Sequence, residues 1–208
     1  MIRSRDGVLH LGPQDEGLEL DHDAFATADW EPGYRYELVA GRLAVTPAPN
    51  LPNAQVERWF DKLLLRYAFA HPDRVAEVYA KARVITRALG AVTDVEPDVT
   101  LFRTFPAGDR SAKWQDTAPF LVIEVLSESD PAKDLVRNRQ IYGLVPSIEE
   151  YWIVDPRAEP APSMLVLARA PDGGWLERPV PPGGTYRTDL LPELEVDLSR
   201  IFPGAAPS

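Results

Sequence analysis

The chain has 208 residues, the length of one ordinary domain, and its 45% hydrophobic and 26% charged content is typical of a globular protein. It contains no cysteine, which excludes disulfides and thiolate metal sites, and no apolar run approaches the ~20 residues of a membrane span, so we expect a cytoplasmic protein without membrane contact. Its net charge of −10 argues against sequence-independent nucleic-acid binding, because such binding depends on Lys and Arg side chains that neutralise phosphates.

The first predicted elements follow a lead-in. Residues 1–33 are largely polar and have no steady periodicity, so we interpret them as a loose N-terminal segment. Residues 34–46 alternate between polar and apolar around Ala40-Gly41, which predicts two short strands joined as a hairpin. Glu37 lies within this hairpin, and the alternation alone makes it a residue of the exposed strand face.

An amphipathic helix is predicted from about residue 53 to residue 69. Asn53 is a good N-cap after a proline-rich link, and the residue before Pro72 ends the helix because it is pushed out of the α region. Apolar side chains recur at helical spacing and predict a helix that lies on a sheet: Val56, Phe60, Leu63, Leu64 and Tyr67.

Two strands are predicted next, at about residues 75–88 and 95–103. Alternation in the second strand places Asp98 and Thr100 on one face and apolar residues on the other. Residues 105–117 are rich in Pro, Gly, Asp and Lys, so we expect a mobile loop between this strand and the next.

A central strand is predicted at residues 119–126, where an uninterrupted apolar run reads as a strand covered on both faces. Glu124 is the exception, because an ionised carboxylate in such a strand is costly unless a cation, a metal or water meets it. Asp98 and Glu124 can converge from two strands and hold a hard divalent cation such as Mg²⁺. The alternative is that Asp98 lies in a strand-edge turn and that Glu124 pairs with a core arginine such as Arg83.

The central strand leads into a helix. Ser129 or Asp130 would cap it, Pro131 fits its first turn, and it would run to about Tyr142. A buried strand at residues 151–154 follows, and a strand, helix and strand in this order predict two parallel strands.

The last third returns to strand patterning. Residues 164–168 and 175–180 flank Pro171-Asp172-Gly173-Gly174, which predicts a hairpin. We therefore predict three regions: an N-terminal lead-in (1–33), one domain (34–202) and a tail (203–208).

Several ordered motifs carry a resemblance to a known family. Pro97-Asp98, followed by Glu124-Val125-Leu126 in an apolar strand, resembles the first two elements of the PD-(D/E)XK nuclease signature. Over roughly residues 34–202 the chain is similar to the Uma2 family (DUF820) of restriction-endonuclease-like bacterial proteins. Four stretches carry this wider resemblance: residues 36–43 (YELVAGRL), 122–127 (VIEVLS), 150–156 (EYWIVDP) and 191–198 (LPELEVDL). It implies an α/β protein with a restriction-endonuclease-like core, in which a central mixed β-sheet is flanked by helices.

The resemblance also implies a metal site. Asp98 and Glu124 would ligate Mg²⁺ or Mn²⁺ together with the main-chain carbonyl of Val125, and Glu37 would lie at the mouth of the site. In the nuclease signature a lysine that steadies the attacking water follows the second acid by two residues, where this chain has Leu126.

In the Uma2 family this lysine lies on the following helix, four residues after an Asp and four before a Tyr. This chain has Asn138 there, between Asp134 and Tyr142. Asparagine orients a water by hydrogen bonding but carries no positive charge. Relatives usually have a histidine where this chain has Asn53, for which helix capping is the simpler interpretation.

The function implied by the resemblance is a metal-dependent endonuclease that hydrolyses DNA phosphodiester bonds, with Asp98, Glu124, Asn138 and Glu37 at its catalytic site. An acidic protein would need a local basic patch to bind DNA. The candidates for this patch, each of which is alternatively an ordinary solvated charge, are Lys81, Arg83, Arg87, Lys133, Arg137 and Arg139. A homo-oligomer, such as a dimer, is also expected. The alternative is a nuclease-fold protein that has lost catalysis and acts as a binding or assembly module, which Asn138 and the acidic charge favour.

Overall fold

A computed structural model describes residues 3–5, 8–106, 108–127 and 130–202 of the chain. Across these residues the strands are β1 (Arg3–Arg5), β2 (Val8–Leu11), β3 (Asp29–Trp30), β4 (Tyr34–Val39), β5 (Arg42–Pro47), β6 (Glu77–Ala80), β7 (Val84–Thr86), β8 (Thr93–Val95), β9 (Val99–Phe102), β10 (Pro119–Val125), β11 (Glu150–Asp155), β12 (Ser163–Arg169), β13 (Trp175–Val180), β14 (Thr185–Tyr186) and β15 (Val196–Asp197). The helices are α1 (His22–Thr27), α2 (Leu51–Ala70), α3 (Arg139–Gly143), a π-helix (Lys133–Asn138) and three short 3-10 helices (Pro13–Asp15, Trp114–Asp116, Leu198–Arg200). The predicted tail over residues 203–208 lies outside the described residues.

The chain forms two compact units, and the first contains Met1–Pro49 and Arg83–Glu96. It has a three-stranded sheet of order β1-β2-β3 and a four-stranded sheet of order β5-β4-β8-β7. The predicted hairpin around Ala40-Gly41 is confirmed as β4 and β5. Strands β1 to β3 were not predicted, because segments of two to four residues are too short to show a period. The core of this unit contains Leu11, Phe25, Tyr36, Leu38, Leu43 and Val92.

The second unit contains Asn50–Ala82 and Pro97–Ser208, and its centre is a six-stranded mixed sheet of order β13-β12-β11-β10-β9-β6. Strand β10 is parallel to β11 and antiparallel to β9, which confirms the predicted parallel pair and the mixed α/β class. The predicted hairpin around residues 171–174 is confirmed as β12 and β13. Helix α2 packs against an apolar face of the sheet that includes Leu121 and Ile123. Glu124 alternates with these residues along β10, so its side chain belongs to the opposite face, where it contacts Tyr142 of α3.

Helix α2 begins three residues earlier than predicted. Asn50 is its N-cap, and its side-chain oxygen accepts a hydrogen bond from the amide N–H of Asn53 at 3.0 Å. Pro52 fits the first turn, where its missing N–H costs nothing. The interpretation of Asn53 as the cap is therefore wrong. Asn53 is 4% exposed, and its Nδ2 donates to the carbonyl oxygen of Leu126 at 2.8 Å, which ties the start of α2 to the end of β10.

The predicted helix after the central strand contains a π-helical segment. Asp130 caps its start by accepting a hydrogen bond from the amide N–H of Lys133 at 3.1 Å, while Ser129 lies outside the described residues. Residues Lys133–Asn138 then follow the wider π-helical path before α3 begins. Such segments are rare and recur at functional sites.

Both predicted strands upstream of β10 are interrupted, so the prediction of two continuous strands is wrong. Residues 75–88 contain β6 and β7, which belong to different sheets, and the chain leaves β6 at Lys81, whose φ is 62°. Residues 95–103 contain the end of β8 and all of β9, separated at Pro97, which has no N–H for a ladder. The chain passes between the two units at these two breaks. Among the described residues we find no helix whose length and hydropathy would let it span a bilayer.

Candidate metal site on three neighbouring strands

Strands β6, β9 and β10 end side by side in a row of charged residues. The strands are antiparallel, and the last row of their shared register is Ala80, Val99 and Ile123. One further step along each strand reaches Lys81, Asp98 and Glu124. Opposed residues on antiparallel strands have Cβ atoms about 5 Å apart, so the register brings these three residues to one end of the sheet.

Asp98 is 2% exposed, and hydrogen bonds hold both of its oxygens. Its Oδ2 accepts from the amide N–H of Val125 at 2.7 Å, and its Oδ1 lies 2.5 Å from Nζ of Lys81. The same ammonium group lies 2.8 Å from Oε2 of Glu57 on α2. The side chain of Lys81 is 31% exposed, so it lies between Asp98 and solvent.

Glu124 is 1% exposed, and neutral donors from the following helix bind it. Its Oε1 accepts from Nδ2 of Asn138 at 2.9 Å and from the hydroxyl of Tyr142 at 2.7 Å. The alternative pairing of Glu124 with Arg83 is not what the structure shows, because Arg83 binds Asp94 and Glu96 within the first unit.

Asn138 is fully buried and bridges two acidic side chains. Besides Glu124, its Nδ2 donates to Oδ1 of Asp134 at 3.1 Å, so side chains four positions apart meet on one side of the helix. The hydroxyl of Tyr151 donates to the main-chain oxygen of Asp134 at 3.1 Å. Burial raises the pKa of Tyr151 well above its ordinary value, and the charges of Glu124 and Asp134 raise it further, so this hydroxyl keeps its proton.

The donor groups at this end of the sheet suit a hard divalent cation. The register places Asp98 and Glu124 at opposed positions, and carboxylate oxygens are the ligands that Mg²⁺ and Mn²⁺ prefer. The N–H and C=O of one residue in an extended strand point to the same side, so we expect the carbonyl of Val125 on the side of Asp98, which its N–H contacts. No group of three or more His, Cys, Asp or Glu arranged for a metal occurs among the described residues. The protein would therefore supply only these few ligands, and water molecules would supply the remaining ones.

Glu37 belongs to β4 of the first unit. It is 2% exposed, and its Oε1 accepts a hydrogen bond from the amide N–H of Glu96 at 3.2 Å. The interpretation of Glu37 as an exposed strand residue is therefore wrong. Its place at the mouth of the metal site stays a prediction.

Most of the residues predicted to form a basic patch have specific partners. Lys81 and Arg83 form the ion pairs described above, and Arg139 binds Glu177 of β13 at 2.7 Å. Lys133 is 7% exposed within the π-helix, and Nε of Arg137 donates to Oδ1 of Asn138 at 3.0 Å. These cations therefore belong to networks with acidic and polar side chains.

Three residues at this end of the sheet were missed by sequence reasoning. Lys81 enters only as a candidate for the basic patch, and Glu57 is not singled out by any pattern. Asn53 lies on the stripe that Val56 and Phe60 continue, so a polar residue on an apolar stripe was a usable signal. The pairing of Lys81 with Asp98 had no local signal, because it depends on the register of β6 and β9.

Comparison with known proteins agrees with this architecture. The model of the Uma2 family, described as "Putative restriction endonuclease", matches residues 23–199. No curated protein matches the sequence. A solved structure from Anabaena variabilis, described as "a putative nuclease belonging to DUF820", is 15% identical with a TM-score of 0.66, and the similarity covers 86% of this chain and 96% of that chain. At this identity the likeness concerns the fold alone, but the family model spans most of the sequence, and the chain therefore belongs to the Uma2 family.

Proposed function

We propose that the chain is a metal-dependent endonuclease with a restriction-endonuclease-like core that hydrolyses DNA phosphodiester bonds at the end of strands β6, β9 and β10. The observation that carries the proposal is the position of Asp98 and Glu124, which lie one step beyond the paired residues Val99 and Ile123 at this end of the sheet. Two buried carboxylates placed side by side repel each other, so a site that keeps both is suited to a bound cation.

In this proposal Asp98, Glu124 and the carbonyl of Val125 hold Mg²⁺ or Mn²⁺. When bound, the ion would lower the pKa of a water and neutralise the charge that develops on the scissile phosphate. The amide N–H of Val125 orients Asp98, and Asn138 and Tyr142 orient Glu124. Both carboxylates would therefore keep their positions as a substrate enters.

Asn138 would orient Glu124 by a hydrogen bond and would supply no positive charge. Its single amide nitrogen donates to Glu124 and Asp134, where the resemblance implies a lysine. An ammonium group in that place would bind both carboxylates, and the amide keeps the two hydrogen bonds while it lacks the charge. Catalysis by this chain is therefore expected to be slow.

A second candidate function is a binding or assembly module without catalysis. The observation that favours it is the short contact of Lys81 with Asp98, which already neutralises one proposed metal ligand. An overall charge of −10 also opposes tight binding to DNA.

The test is cleavage of supercoiled plasmid with Mg²⁺ or Mn²⁺ by the wild-type protein, Asp98→Ala and Glu124→Gln. Asp172→Ala, in the exposed turn between β12 and β13, is the matched control because it also removes one carboxylate. We expect nicking by the wild type and by the control, and none by the two site variants. Equal cleavage by the wild type and Asp98→Ala contradicts this site, and Mn²⁺ binding without cleavage supports the second candidate.

A dimer is part of the proposal, because cutting both strands of a duplex requires two sites that a twofold axis can supply. Light scattering coupled to size-exclusion chromatography tests this part, and a mass equal to the 23.1 kDa monomer contradicts it.

A further inference from the structure

The ammonium group of Lys81 lies between two carboxylates that come from different elements. It is 2.5 Å from Oδ1 of Asp98, at the start of β9, and 2.8 Å from Oε2 of Glu57, on α2. Asp98 is 2% exposed whereas the side chains of Glu57 and Lys81 are 15% and 31% exposed, so the lysine bridges a buried and a more accessible partner.

The two oxygens of Asp98 have different partners. Oδ2 accepts from the amide N–H of Val125 at 2.7 Å within the buried end of β10. A metal ion at Oδ1 would leave this main-chain hydrogen bond intact, and Oδ1 is the oxygen that Lys81 contacts. Two cations at one carboxylate oxygen repel strongly in a partly buried site, so binding of one opposes binding of the other.

Glu57 gives Lys81 a second place to bind. An ammonium group that leaves Asp98 keeps a charged partner on α2, so its displacement does not leave a desolvated charge unpaired. The backbone of Lys81 has a φ of 62°, which is uncommon for a residue other than glycine. Such a strained conformation persists only where the surrounding structure stabilises it.

We propose that Lys81 regulates occupation of the metal site: its ammonium group binds Asp98 and Glu57 together in the metal-free protein and keeps only Glu57 when a divalent cation binds. The inference rests on the proposed function, because it requires Asp98 to be a metal ligand. Lys81 is thus a positioning residue whose effect appears in metal affinity before any cleavage is measured.

The test is the affinity for Mn²⁺, measured by isothermal titration calorimetry and by the loss of the free-ion electron paramagnetic resonance signal. Lys81→Met removes the competing charge and should bind Mn²⁺ about tenfold more tightly than the wild type, since one strong charge contact is worth about that factor. Glu57→Gln removes the second partner, so Lys81 holds Asp98 alone and the affinity should fall by about threefold or more. Lys113→Met, an exposed lysine in the loop before β10, changes the net charge equally and should leave the affinity within about twofold.

The double variant Lys81→Met/Glu57→Gln separates this mechanism from a general loss of negative charge. If Glu57 acts through Lys81, Glu57→Gln has no effect in the Lys81→Met background. Thermal melting followed by circular dichroism shows which variants are folded. Equal Mn²⁺ affinity of the wild type and Lys81→Met, with binding abolished in Asp98→Ala, overturns this inference and leaves the metal site standing. No Mn²⁺ binding by any of these proteins, Lys81→Met included, overturns both.

Discussion

Asp98 and Glu124 are both buried carboxylates, but different groups hold them. A main-chain amide and the ammonium group of Lys81 bind Asp98, while a side-chain amide and a phenol bind Glu124. Hydrogen bonds to a charged group are the stronger ones, at about 1.5 to 3 kcal/mol each. Each donor therefore contributes to the free energy of unfolding as well as to the geometry of the site.

Tyr142→Phe tests the contribution of the phenol. The substitution removes the hydroxyl that donates to Glu124 at 2.7 Å and leaves the ring, which is fully buried, in place. We expect the free energy of unfolding to fall by about 1 to 3 kcal/mol, because a buried carboxylate loses a donor. Urea unfolding measures it, with Tyr79→Phe as the control because the ring of Tyr79 is 36% exposed. An equal loss of stability in the two variants contradicts this role of Tyr142.

Asn138→Lys tests the missing positive charge. A lysine here would meet Glu124 and Asp134, the two carboxylates that the amide now bridges, so the substitution should fold despite full burial. We expect faster plasmid nicking, by about tenfold or more, because a charged group near the attacking water stabilises the transition state. The comparison variant is Asn138→Met, which is similar in length but has neither charge nor donor. Nicking by a folded Asn138→Lys protein at or below the wild-type rate argues against this assignment.

Single residues show how far sequence reasoning reaches. Glu124 was identified because one carboxylate in an apolar strand is visible in a window of eight residues. Asp98 was found by its Pro-Asp motif together with its alternation. Lys81 and Glu57 were not identified. The contact of Lys81 with Asp98 joins residues 17 positions apart and its contact with Glu57 joins residues 24 positions apart, and no local pattern in the sequence encodes either contact.

Arg169 closes the end of helix α3 from a neighbouring strand. Its guanidinium donates to the carbonyl oxygens of five residues that end the helix and the adjoining turns: Tyr142, Gly143, Val145, Ile148 and Gly173. It also lies over the ring of Trp175, 4.2 Å from the ring centroid. Helix ends leave carbonyls without partners, so one planar fork of donors completes the C-terminus of α3 and fixes it to the sheet.

Arg169→Lys should therefore be costly although it keeps the charge. An ammonium group has three donors from one point and cannot reach all of the carbonyls arranged around the edge of the planar guanidinium. We expect the free energy of unfolding to fall by about 2 kcal/mol or more, because several buried carbonyls lose their donors. Urea unfolding again measures it, and the control is Arg178→Lys on the exposed face of β13. A difference of less than about 0.5 kcal/mol between the two variants contradicts the argument.

Elements defined by local chemistry were predicted well, and elements that depend on the rest of the fold were not. The two hairpins follow from glycine at turns, with φ of 77° at Gly41 and 86° at Gly173. The start of α2 was misplaced because Asn50 and Asn53 are both good caps, and only the fold places Asn53 against Leu126. The long strand at residues 75–88 was predicted across Lys81 because strand-forming residues continue on both sides of the break.

At the scale of the whole chain, the family was identified from the ordered motifs, whereas the amino-acid composition gave little information about it. The family model matches residues 23–199, close to the span over which the motifs occur. The mixed sheet follows from the order of strands and helices. The division into two units was not predicted, because the chain crosses between them at two breaks inside segments that look continuous.

The charge of the whole molecule predicts weak binding to DNA with a shallow dependence on salt. Each phosphate neutralised adds a slope of about −0.9 to the plot of log affinity against log salt concentration, and an acidic protein neutralises few. We expect fluorescence anisotropy with a labelled duplex to give a slope between zero and about −3. A protein of the same size with a basic surface is the reference, and a steep slope with tight binding at physiological salt would contradict the expectation.

The π-helix sets a limit on chain length at this point of the protein. A wide turn of this kind holds one more residue than an α-helical path between the same two ends. Removing exposed Val136 leaves one residue too few for the wide turn, so the residues before it and α3 after it cannot both keep their places. The hydrogen bonds of Asn138 with Glu124 and Asp134 would then no longer both form, and thermal melting should show a loss of stability that removal of Gly108 from the loop does not cause. Homologous proteins that keep the same acidic strand ends should accept insertions in their loops but conserve the number of residues between Asp134 and Tyr142.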